Sequence, residues 1–236
     1  LYQGRRADTY ERNLNFKHDP RKVDAVILSH AHIDHAGNLP NLVKQGYEGP
    51  IYATRATADL ASLMLRDSGR IQESDAEFIN RKRAQRGELP IEPLYTEQDA
   101  EEVAGMFKGV DYEQRFQPIP GVAAHFFEAG HILGAAGVSL EIEEKGKKIC
   151  LIFSGDIGRN DMPLLHDPLM PDAADYMIME STYGDKLHND PEKAYSEFRN
   201  VVKLTVERGG KVIVPAFAVG RTQELVYDLN RMMQAG

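Results

Sequence analysis

Residues 25–37 read "AVILSHAHIDHAG". Within the six positions 30–35 lie three of the chain's eight histidines and an aspartate: His30, His32, Asp34 and His35. The run "VDAVILS" (23–29) is apolar and β-branched, as a strand should be, and the chain then turns toward Gly37. Side chains alternate along an extended backbone, so His30 and His32 can project the same way from the strand's end. A helical turn after them would offset Asp34 and His35 from that pair. One compact loop would then present two separate groups of imidazole and carboxylate donors, which suit zinc.

A single loop rarely completes a metal site, so partners are expected at other strand ends. Two stretches qualify. "FFEAGHILGAAG" (126–137) places His131 just after an apolar run at 122–128. "LIFSGDIGR" (151–159) places Asp156 directly after the most apolar strand in the chain. Taken alone, either residue reads equally well as a loop histidine or a turn aspartate. Beside the first motif, both become candidate ligands.

Strands are expected at 23–29, 122–128, 138–144, 148–155, 176–181 and 211–216, with a hairpin turning at Gly146. Helices are expected at about 56–67, 72–86, 96–107, 191–208 and 220–234. The helix at 191–208 has Asp190 as cap, Pro191 in its first turn and Gly209–Gly210 as its stop. The mixture indicates an α/β protein containing hairpins, not a purely doubly wound parallel sheet.

The chain has 236 residues, 36 acidic and 28 basic, for a formal charge of −8, which argues against a general nucleic-acid coat. A local cationic site, such as bound metal, stays compatible with that balance. There is no apolar run long enough to span a membrane. Cys150 is the single cysteine, so no internal disulfide can form and a reducing, cytoplasmic setting is expected. Its apolar run, "ICLIF", suggests a small buried core residue. The polar start "LYQGRRADTYERNLNF" has neither an initiator Met nor an apolar signal core, as expected of a processed or partial chain.

The order H-x-H-x-D-H, then Gly-His, then S-G-D after a strand resembles the ligand order of the metallo-β-lactamase fold. "YMIMESTYGDKLH" (176–188) resembles the first signature of its β-CASP branch, and "GGKVIVPAFAVGRTQELVYDL" (209–229) resembles the opening of the β-CASP domain. That branch contains RNA-processing nucleases such as ribonuclease J and the pre-mRNA 3′-end cleavage endonuclease.

The resemblance implies a metallo-β-lactamase αββα sandwich over 1–187, lacking its first strands, and the beginning of a β-CASP domain over 188–236. It makes His30, His32 and His131 the ligands of one zinc, places a second zinc on Asp34 and His35, and lets Asp156 bridge the two. It assigns catalytic roles to Asp34 and Glu180, with Glu180 outside the metal shell and near the scissile phosphate. The implied function is hydrolysis of RNA phosphodiester bonds by a metal-activated hydroxide. Arg221, at a helix start, is a candidate for gripping substrate phosphate. "NRKRAQR" (80–86) reads better as a solvated helix face than as an RNA contact.

The family's first motif, an Asp-x-Gly, and its two later histidines find no match in these residues. The resemblance therefore implies a piece of a longer enzyme, weak or inactive by itself, with an incomplete second metal site. His18, His125, His166 and His188 stand outside matching contexts and read as ordinary loop or strand residues. Assembly into a homo-oligomer stays open, as do hydrolysis of a small ester, thioester or lactam on the same fold, and cleavage of DNA.

Overall fold

The computed structural model describes residues 1–236 except 3, 5, 172, 188, 189 and 236. His188 therefore lies outside the described residues. Helix α1 (Arg6–Leu14) and a 3₁₀ turn (Pro20–Lys22) lead into a three-stranded parallel sheet of β1 (Val26–Ile27), β2 (Ile51–Thr54) and β3 (Phe107–Val110), in that spatial order. Parallel neighbours need crossovers. The short helices α2 (Ile33–Ala36) and α3 (Leu39–Lys44) make the first, and α4 (Arg55–Ala84) with α5 (Glu97–Ala104) makes the second.

The second sheet runs β4 (Phe116–Ile119), β5 (Val122–Glu128), β6 (Ala136–Glu144), β7 (Lys147–Phe153) and β8 (Tyr176–Ile178) in order. It is antiparallel except for the β7–β8 pair. The β6–β7 hairpin turns at Lys145 and Gly146, both at positive φ, the geometry of a tight two-residue hairpin turn. Helices α6 (Pro191–Glu207) and α7 (Arg221–Ala235) follow.

Two apolar layers hold this arrangement. Ile51, Leu65, Tyr95 and Val103 are fully buried where α3–α5 cover the parallel sheet. Phe126 and Val138, joined by Tyr52, Phe116 and Phe153, fill the space between the two sheets. Each such large side chain contributes about 1.5–3 kcal/mol by leaving water. The directions of the strands then place the site. Because β5 and β7 both run against β6, and β8 runs with β7, the C-terminal ends of β5, β7 and β8 share one edge. The start of β6 meets the segment just past β1 there: the Ala136 N–H donates to the Ser29 carbonyl at 2.9 Å.

Several sequence expectations are corrected. The strand expected at 23–29 is only Val26–Ile27. The helices expected at 56–67 and 72–86 form one helix of 30 residues. Gly69 lies within it, where α4 packs on the start of α5, and a β-carbon there would meet the Thr96 carbonyl. The helix expected to reach 107 stops at Ala104, and Phe107 begins β3. Residues 211–216 form no strand, because a strand needs a hydrogen-bonded neighbour and none is present among the described residues. Cys150 is half-buried, with its Sγ 3.7 Å from the Ala173 carbonyl. Asp190 caps α6 as expected, accepting from the N–H groups of Glu192 and Lys193.

Candidate metal centre

β1 ends at Ile27, residues 28–32 have no regular structure, and α2 begins at Ile33 with His32, at φ −57° and ψ 144°, in its cap position. The helical turn that the motif predicts after His32 is present. His30 and His32 end up with their rings edge to face, 4.9 Å between centroids. His131 comes from the loop after β5, and Asp156 from the loop after β7. One donor atom from each of His30, His32, His131 and Asp156 lies within 4.8 Å of all the others.

The individual separations are more informative. His131 Nε2 is 3.1 Å from His32 Nδ1 and 3.4 Å from Asp156 Oδ2, and His30 Nε2 is 3.6 Å from that same oxygen. A tetrahedral ion with bonds near 2.05 Å has ligand atoms about 3.3 Å apart, so these spacings are those of a zinc-sized cage. His30 Nε2 supplies an independent sign. It is fully buried and has no hydrogen-bond partner among the described residues, a costly state for a polar atom that nothing will ligate. The four residues fit a metal ion.

The other oxygen of Asp156 faces a different group. Oδ1 is 3.3 Å from His35 Nε2, which is itself 3.7 Å from Asp34 Oδ2. Asp156 thus turns one oxygen to His30 and His131 and the other to His35. Asp34 stands outside the four-donor group and is half exposed.

Charge follows burial. The pKa of His30 is pushed down to about 3, first by burial and then by the nearby His35. Burial also lowers His32 and His131. These rings are held neutral, the form that binds metal. His35 moves upward because it hydrogen-bonds Asp156, and the same bond leads in holding Asp156 down at about 2.

Residues around the donors fix them in place. Ser29 Oγ lies 3.1 Å from His30 Nδ1, leaving Nε2 for the centre. Gly155, at φ +58°, runs against Ser29 and brings the loops after β1 and β7 together. Thr54 and Thr57, at the start of α4, both donate to the Gly134 carbonyl, at 2.6 and 2.7 Å, and pin the loop carrying His131. Sequence reasoning passed over Ser29, Thr54 and Thr57. Ser29 alone left a sign, its place directly before His30.

Glu180 follows β8 and stands next to the centre. Its Oε1 accepts from the Ile157 N–H and its Oε2 from the Thr182 hydroxyl, both at 2.6 Å. Its own N–H donates to Ser154 Oγ at 3.1 Å, tying it to the end of β7. His32, His131, Asp156 and Glu180 line a cleft of about 360 Å³ together with Phe217, Gly220, Arg221 and Glu224. Arg221 donates to Glu224 Oε2 at 2.7 Å. His18 and His166 are exposed and His125 is half-buried on β5; none of the three belongs to the donor group.

The family profile described as "Metallo-beta-lactamase superfamily" matches residues 9–215, which include every donor above. The chain belongs to the metallo-β-lactamase superfamily. A ribonuclease of Thermus thermophilus is 35% identical over 229 residues, 97% of this chain and 47% of that protein. The transcription termination factor FttA of Methanocaldococcus jannaschii is 35% identical over 217 residues, 91% of this chain and 32% of its own length. The cleavage and polyadenylation specificity factor subunit 3-I of Arabidopsis thaliana is 31% identical over 214 residues, 90% of this chain and 28% of its own. This superfamily chain thus spans between about a quarter and a half of these relatives. Among solved structures, the Rm3 metallo-beta-lactamase matches 60% of this chain and 45% of its own, at 15% identity and a TM-score of 0.34.

Proposed function

We propose that this chain carries the metal-binding core of a zinc-dependent ribonuclease of the β-CASP branch, acting in RNA processing or decay in the cytoplasm. One observation carries the reading: a cage of four donors, one of them a buried nitrogen without a partner, sits in an open cleft beside a carboxylate that is not part of the cage. The relatives support RNA over a small ester, a lactam or DNA, since they are named as a ribonuclease, a transcription termination factor and a cleavage and polyadenylation factor.

His30, His32, His131 and Asp156 would hold one zinc; Asp34 and His35, sharing Asp156, would contribute to a second. Metal held there would supply Lewis acidity, lowering the pKa of water toward neutrality and offsetting charge on a phosphate. Asp156 keeps its carboxylate ionised and divides its oxygens between the two groups. The buried imidazoles stay neutral as donors. Glu180, held by Ile157 and Thr182, is a fixed anion at the cleft wall, suited to orienting the group that protonates the leaving oxygen. Residues 188–236 are read as the opening of the β-CASP domain.

The test uses the full-length protein, loaded with zinc and given a labelled single-stranded RNA. Cleavage that stops with chelator, returns with zinc and is lost in His32→Ala supports the reading. Chelator-insensitive cleavage, or none with zinc present, overturns it.

A further inference from the structure

We propose that Arg159, not only the metal cage, holds the RNA strand by gripping a backbone phosphate in the cleft; the inference rests on the ribonuclease reading. Arg159 is half-buried and lines the same cleft as His32, His131 and Asp156. A charged group withdrawn from water is expected to have an opposite charge or several hydrogen bonds. Each acid in this cleft is already taken. Asp156 faces His30, His35 and His131; Glu180 accepts from Ile157 and Thr182; Glu224 accepts from Arg221. Arg159 has only the Met162 Sδ, at 3.6 Å, and no carboxylate within 4.0 Å among the described residues. A thioether is a weak acceptor and no match for a guanidinium.

Among the described residues, Arg159 is thus a cation of this cleft with an unfilled planar fork, and that fork matches the oxygens of a phosphate. Arg159 lies three residues beyond Asp156, so their Cα atoms are at most about 11 Å apart. A phosphate held by its side chain would lie in the cleft that His32, His131 and Asp156 also line. The chain's net charge of −8 would repel RNA, which makes a local cation at this point valuable. Arg221 lines the same cleft but is 61% exposed and already committed to Glu224.

The experiment measures binding of a single-stranded phosphorothioate oligoribonucleotide by the full-length, zinc-loaded protein across a range of salt concentrations. Losing one phosphate contact on a single strand should reduce the slope of log affinity against log salt by about 0.7. Arg159→Gln is expected to show that reduction and to bind about tenfold more weakly, with zinc content unchanged. Arg159→Lys keeps the charge and should restore the slope with only part of the affinity. Arg86→Gln, an exposed charge outside the cleft, should leave the slope alone. An unchanged slope in Arg159→Gln, or a Lys variant with the same slope as the Gln variant, overturns the proposal while wild-type cleavage leaves the ribonuclease reading standing. A zinc-loaded wild type that neither binds nor cleaves RNA overturns that reading instead.

Discussion

Gly158 lies so close to Gly130 that a β-carbon at position 158 would overlap the Gly130 carbonyl, while its own N–H donates to the Ala129 carbonyl at 2.8 Å. The two glycines are the contact between the loop carrying Asp156 and the loop carrying His131. The donor atoms of those residues are 3.4 Å apart.

Gly158→Ala should therefore push these loops apart without touching a ligand. Overpacking of this kind costs about 1–3 kcal/mol. We expect a correspondingly lower urea midpoint together with a zinc affinity reduced by at least about tenfold, since cage spacing is what the metal selects. Elemental analysis after dialysis against a graded chelator reads the second effect. Retained wild-type affinity would show that the loops are positioned by something other than this contact.

Ligand and bystander histidines should separate sharply. His32→Ala removes a donor from the cage, whereas His166→Ala alters an exposed residue outside it. After mild chelation, the first variant is expected to retain little zinc and the second as much as wild type. Comparable losses would mean that the donor group has been wrongly drawn.

Glu180→Gln keeps the shape of the side chain and removes its charge. Because Glu180 is bound by Ile157 and Thr182 and lies outside the donor group, zinc content should be unchanged. Single-turnover cleavage of labelled RNA by the full-length variant should fall by about 10²-fold, the scale of general acid catalysis. Zinc lost in parallel with activity would make it a ligand; full zinc with full activity would make it structural.

Acid should weaken the metal-free fold, and His30 should be one reason. Its folded pKa is depressed to about 3 from an ordinary 6.5. Between those values the unfolded chain binds a proton that the folded chain refuses, so stability falls as pH drops through that window. Asp156, depressed to about 2, acts in the same direction at lower pH. His35, shifted upward, acts oppositely: its contribution is complete below 6.5 and is lost as pH rises past its raised value. Urea unfolding of the chelated protein at pH 7 and pH 5 should show a clear loss, and His30→Gln should show a smaller one. Equal losses in both proteins would remove His30 from the account.

The donors were legible in the sequence because their chemistry is carried by residue type and short spacing. His30 and His32 fall just after the strand β1, Asp34 and His35 in the helical turn that follows, and His131 and Asp156 each follow an apolar strand. The strands β2 and β4 were not legible, since four residues are too few for alternation to stand out. The helix expected in two pieces, 56–67 and 72–86, is continuous through Gly69, where a β-carbon would meet the Thr96 carbonyl 27 residues away. The run at 211–216 has the composition of a strand, yet pairing is a property of two segments and composition describes one.

Tertiary structure alone decided how charge is distributed over the centre. It turned the two oxygens of Asp156 toward different histidines, gave Arg221 an acid and, among the described residues, left Arg159 without one. The sequence determined which groups this protein can bring to a metal. Which of them remain unpaired is fixed by distances between loops far apart in the chain, and the strength of a charge interaction depends on those distances and on the burial around them.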